Sequence, residues 1–249
     1  MADVMVKAPE APERVNSIGR ILGVLVSPKA TFESIARRPT WLAPVALLCL
    51  LFLAVVVIFT YRGGWPSYFQ KQTANNSRFQ QMPPEQQQQA YEMQLKYGPR
   101  VAYAEAPIVP TLLIVIVAAI FLGVFKGLAG AKLNFKTSMG IVSHAWMPNA
   151  VSGLLGILTI CVKDPASIDL QNIVASNAGA FLSSDAPKWL AAFLGSIDLF
   201  SFWTMILLAM GFATAAPKQL TTAKAFAWIV TVWLAFVVVK VGLTAAFAG

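Results

Sequence analysis

The chain has 249 residues, of which 57% are hydrophobic and only 12% charged, with a formal net charge of +8. A soluble domain has about a quarter of its residues charged, so this composition leaves no room for a sizeable water-soluble domain beside a membrane domain. The excess of Lys and Arg does not indicate nucleic acid, because these residues gather at the ends of long apolar runs.

Residues 1–13 include Lys7-Ala-Pro-Glu-Ala-Pro-Glu, a proline-rich and acidic stretch expected to form a disordered tail. From residue 14 the pattern changes. Val15, Ile18, Ile21, Leu22 and Leu25 recur at helical spacing beside Arg14 and Arg20. Ser27 offers an N-cap oxygen, Pro28 suits a first helical position, and Phe32 with Ile35 forms a second apolar stripe. That second helix should stop before Pro39. We therefore expect short interfacial helices over residues 14–38, with Arg14, Arg20, Lys29, Arg37 and Arg38 contacting lipid headgroups. The apolar run Ile21 to Val26 is too short for the core of a cleavable signal, so the first span should itself direct insertion.

Trp41 to Tyr61 carries no charge, and about twenty helical residues match a hydrocarbon core of about 30 Å. Similar runs predict spans at 41–61, 108–128, 138–162, 189–216 and 223–247. The expected fold is all-α, a bundle of five transmembrane helices forming one membrane domain over residues 14–249. Residues 62–106 form a long connection with a predicted helix from Pro84 to Lys96, closed by Gly98-Pro99.

Lys126, Lys132 and Lys136, then Lys218 and Lys224, flank the two shortest connections, which carry no acid, on the side of Arg14, Arg20, Lys29, Arg37 and Arg38. By the positive-inside rule the N-terminus is expected to be cytoplasmic and the C-terminus outside.

Inside the spans the polar exceptions are His144, Asn149, Asp198 and Lys240, each costly in hydrocarbon unless paired. They form a candidate network, which would either fix helix register or carry ions in a small transporter. Pro148 predicts a bend in the third span, because it removes the donor that the His144 carbonyl would otherwise use. Cys49 and Cys161 lie inside spans and read as small apolar residues. Gly123 and Gly127 form a GxxxG that permits close packing with this chain or a second copy. HExxH, GxSxG and glycine-rich phosphate loops are all missing, so no catalytic, cofactor-binding or metal-binding residue is expected.

Three segments carry a resemblance: Arg20-Ile-Leu-Gly-Val-Leu-Val-Ser27-Pro28 with Phe32, Ser143-His144-Ala145 with Pro148, and Ile197-Asp198-Leu199-Phe200-Ser201-Phe202-Trp203. Together they are similar to the Yip-domain family of Ypt/Rab-interacting five-span membrane proteins, in its prokaryotic form, which implies the inner membrane of a bacterium. The resemblance implies no chemistry. It suggests a non-enzymatic scaffold or membrane-organising factor that works with lipid and with a protein partner or a second copy. The long connection at 62–106 departs from the compact eukaryotic pattern.

Overall fold

The structure, a computed structural model, describes residues 16–74, 76–170, 172–183 and 186–247. The expected tail at 1–13 and Arg14 lie outside the described residues. Helices dominate: α1 (Ser17–Val26), α2 (Pro28–Arg37), α3 (Leu42–Tyr61), α4 (Trp65–Ala74), α5 (Ser77–Gln80) and α6 (Pro84–Leu128). They are followed by α7 (Phe135–Ala145), α8 (Met147–Val162), α9 (Lys188–Leu194), α10 (Leu199–Ala215) and α11 (Thr222–Phe247). Among the described residues the sole β pairing is an isolated antiparallel bridge between Asn177 and Asp198.

The protein is an all-α polytopic membrane protein. Four helical segments are long and apolar enough to cross a bilayer: Leu42–Tyr61, Pro84–Leu128, Phe135–Val162 and Thr222–Phe247. α10 is a shorter apolar helix of 17 residues, or about 26 Å. Large apolar side chains such as Leu50, Leu112, Leu158, Phe236 and Val239 point outward, as bilayer-facing side chains do. The core runs along the bundle and gathers Phe121, Phe125 and Phe212, whose rings lie 4.7–5.9 Å apart.

The structure corrects two expectations. First, 62–106 is not a loop. α6 runs unbroken through Gly98-Pro99 and also contains Pro107 and Pro110, giving a helix of 45 residues and about 68 Å. That is more than twice the hydrocarbon thickness, so its N-terminal half projects beyond the bundle. A helix-interior proline costs about 3 kcal/mol or more, which tertiary packing must offset here. α4 supplies that packing: Tyr91 donates to the Pro66 carbonyl at 3.2 Å, and the Phe69 ring rests where a Cβ on Gly98 would collide with it. Gly98 is therefore a docking point for a ring and not a helix stop.

Second, the run 189–216 is two helices. α9 ends at Gly195, and α10 begins after Asp198, whose carboxylate accepts from the Ser201 N–H at 2.8 Å. An aspartate N-cap outcompetes continuation of the helix because its side chain satisfies an otherwise unpaired backbone donor. The third span, Phe135–Val162, has a turn at Trp146 between α7 and α8, and Pro148 occupies the first turn of α8. A Cβ on Gly123 or Gly127 would meet nothing within 4 Å, so the GxxxG faces away from the chain's own helices.

Candidate functional site

The candidate site is the hairpin of α1 and α2. Asn16 opens α1 by accepting from the Gly19 N–H at 2.6 Å, and Pro28 starts α2 one residue after the Ser27 turn. Ser27 holds the N-cap position of α2, but its hydroxyl makes no cap bond; its carbonyl instead accepts from the Thr31 hydroxyl at 3.0 Å. α2 ends at Arg37, two residues before Pro39. Its apolar side is wedged into the bundle. Phe32 and Ile35 are fully buried, Phe32 against Gly211 of α10 and Ile35 against Gly140 of α7.

α1 has two unlike faces. Arg20 and Val24 point into the protein, at 7% and 0% exposure. Ile18, Leu22 and Val26 recur every four residues on the opposite face and are 69%, 59% and 80% exposed. This inverts the usual arrangement of a surface helix, whose apolar stripe faces the core.

Arg20 was expected at the headgroups and is instead buried. Its guanidinium donates to the Arg38 carbonyl (2.9 Å), the Thr40 hydroxyl (2.8 Å), the Ser34 carbonyl (3.3 Å) and the Ser34 hydroxyl (2.9 Å). These acceptors lie at the end of α2, where unpaired carbonyls concentrate negative potential and a planar five-donor cation fits. Burial, and to a smaller degree the like charge of Arg38, holds the guanidinium below its ordinary pKa. An arginine still keeps its proton at neutral pH. Lys29, Arg37 and Arg38 are exposed. Lys29 and Arg37, with Glu33, line a cavity of about 540 Å³ completed by α10 and the start of α11.

The four intramembrane polar residues are distributed over separate bonds. His144 is fully buried and its Nδ1 lies 2.8 Å from the Gly140 carbonyl of its own helix. Asn149 donates to the Thr204 hydroxyl at 3.2 Å. Asp198 accepts from the Ser176 hydroxyl while capping α10, and Lys240 donates to the Ser196 hydroxyl at 3.0 Å. Asn149 and Asp198 line a shared cavity of about 370 Å³, but His144 and Lys240 do not. Cys49 reaches the Pro107 carbonyl and the Thr111 hydroxyl at 3.5 Å each, and Cys161 is exposed; neither is in a disulfide.

The family model of the Yip1 domain matches residues 22–243, which takes in the second half of α1, all of α2 and the bundle as far as Leu243 of α11. This chain belongs to the Yip1 domain family. No match was found among curated proteins or among solved structures.

Within the Yip1 domain two features escaped sequence reasoning. Two of the four partners of Arg20 are backbone carbonyls 14 and 18 residues away, which leave no side-chain pattern, and the other two are the neutral hydroxyls of Ser34 and Thr40, which give no charge pairing to read. The second is an aromatic group on α3 and α4, where Phe59, Trp65, Tyr68 and Phe69 interlock with ring centroids 5.1–6.4 Å apart. Its signal was present in Trp65-Pro-Ser-Tyr68-Phe69, a dense aromatic run directly after a span.

Proposed function

We propose that this Yip1 domain is a non-enzymatic membrane-organising scaffold of the bacterial plasma membrane. Its bundle anchors the chain, and the α1–α2 hairpin enters the cytoplasmic leaflet to shape it and to gather a protein partner or a second copy. One observation carries the proposal: the outward stripe of Ile18, Leu22 and Val26, which no other part of the described chain covers. Exposed Lys29, Arg37 and Arg38 follow that stripe in the chain. Apolar insertion with basic flanks is the pattern of a helix lying in an anionic interface. The orientation follows from the lysines of the two short connections.

The alternative, a small transporter built on His144 and Asp198, receives less support. His144 bonds within α7, and no hydrogen bond among the described residues joins it to Asn149, Asp198 or Lys240. A proton relay needs a continuous path of such groups.

The test is reconstitution of the full chain into vesicles of graded diameter. Wild type should partition toward small, curved vesicles, and the triple variant Ile18→Ser, Leu22→Ser, Val26→Ser should insert equally well but lose that preference. Each buried apolar side chain contributes about 1.5–3 kcal/mol, so the triple change removes most of the driving force for leaflet entry. An unchanged curvature preference in the triple variant would remove the hairpin from the function.

A further inference from the structure

α6 carries two apolar stripes in its N-terminal half. The first faces the chain's own helices: Tyr91, Leu95 and Ala102 pack against the cluster of α3 and α4, Gly98 receives the Phe69 ring, and Ala106 is fully buried. The second, Tyr97, Val101, Ala104 and Ile108, repeats at spacings of four, three and four residues about a third of a turn round the helix. All four of its residues are exposed, Val101 at 52% and Ile108 at 58%.

The charges beside the second stripe decide what covers it. In a heptad Val101 and Ile108 take the a position, Tyr97 and Ala104 take d, Arg100 falls at g on one flank and Glu105 at e on the other. Arg100 and Glu105 are both exposed, and neither has an ion pair among the described residues. A stripe turned toward lipid has no use for such flanks. Glu105 lines the same groove as Phe52, Val55 and Val56, which puts its carboxylate level with the spanning helix α3, where a charge is costly unless paired. Its own surroundings are acidic: burial, then the charges of Asp169 and Glu105, raise the Tyr68 phenol above its ordinary pKa. The missing partner is a cation, and Arg100 itself is the right one. It precedes Glu105 by five residues, the spacing at which g of one helix meets e of a parallel neighbour. Two copies of one chain insert in the same orientation, so a two-fold axis along the membrane normal holds their α6 helices parallel and in register. A patch that meets its own copy has to be self-complementary, and base on one flank with acid on the other satisfies that.

We propose that the N-terminal half of α6 is the contact between two copies of this chain, with Tyr97, Val101, Ala104 and Ile108 as the seam and Arg100 of each copy paired with Glu105 of the other. The pair cannot form within one chain, because residues five apart lie on different sides of a helix. The arriving guanidinium also meets the Trp65 and Tyr68 rings, which line the groove beside Glu105. The α1–α2 hairpin takes no part in this contact, which stands whatever the hairpin does.

The experiment is disulfide cross-linking of the full chain in reconstituted vesicles, with Cys49 and Cys161 replaced by alanine and an oxidant added to single-cysteine variants. Val101→Cys lies on the seam, and Tyr103→Cys is exposed on another side of α6. Val101→Cys should form covalent dimer about tenfold faster or more, because the seam holds its two copies at high effective concentration. In the Val101→Cys background, Arg100→Glu and Glu105→Arg should each slow cross-linking about tenfold, since two attractive pairs become repulsive. The two changes together should restore it. No faster cross-linking at Val101 than at Tyr103 would leave this face to lipid and overturn the proposal. So would a doubly exchanged variant no better than either single one, or a single one that keeps the parent's melting temperature and its full cross-linking rate.

Discussion

Arg20→Ala is expected to destabilise the hairpin by about 3 kcal/mol or more, among the largest effects available to a single substitution in this chain. Hydrogen bonds to charged groups contribute about 1.5–3 kcal/mol, and Arg20 makes four, at 2.8–3.3 Å. Its removal takes the guanidinium donor from the Arg38 carbonyl and from the Thr40 and Ser34 hydroxyls, while the Ser34 carbonyl keeps the Arg38 N–H at 3.1 Å. Arg20→Lys should recover only part of the loss, because one ammonium cannot span the acceptors that the guanidinium fork reaches. The measurement is limited proteolysis of the segment 27–41 together with thermal unfolding in detergent. Cleavage should rise sharply for Ala and moderately for Lys. Wild-type resistance in the Ala variant would mean that the clamp is dispensable.

Gly211→Ala is expected to loosen α2 from the bundle through overpacking, at a cost of about 1–3 kcal/mol. A Cβ there would sit 2.5 Å from Ile141 Cγ2 and 3.0–3.1 Å from the Phe32 ring. The nearer neighbour is a β-branched methyl held close to the backbone, so it cannot swing aside as the end of a long chain would. Combining Gly211→Ala with Ile141→Ala should cost less than the sum of the two single changes, because the second removes the atom that the first strikes. Strict additivity in thermal unfolding would show that the contact does not limit how closely α2 approaches.

The membrane class and the helical fold were legible from apolarity. The uncharged run from Trp41 to Tyr61 becomes α3, and Pro28 with Pro39 brackets α2 because proline constrains its own backbone and that of its predecessor. Local signals misled where tertiary contacts outweighed them. Gly98-Pro99 reads as a stop, yet the Phe69 ring occupies the space a side chain would need, and α6 continues. The break before α10 was readable in Gly195-Ser196-Ile197-Asp198, a C-cap glycine followed by an N-cap aspartate. The surrounding hydropathy concealed it. Asp198 therefore stands at the start of a helix and not within a continuous span. Arg20 misled for the opposite reason. A basic residue beside an apolar stripe suggests a headgroup contact, but the stripe itself faces outward and the arginine is turned in.

The central claim is that α1 lies in the leaflet with its stripe toward lipid, and nitroxide depth measurement tests it most directly. With Cys49 and Cys161 replaced by alanine, single cysteines at Ile18, Leu22, Val26 and Lys29 would carry the label in reconstituted vesicles. Labels at 18, 22 and 26 should be relaxed by dissolved oxygen and shielded from a water-soluble nickel complex, whereas the label at 29 should show the reverse. Nickel accessibility at all four positions would place α1 in water and contradict the account.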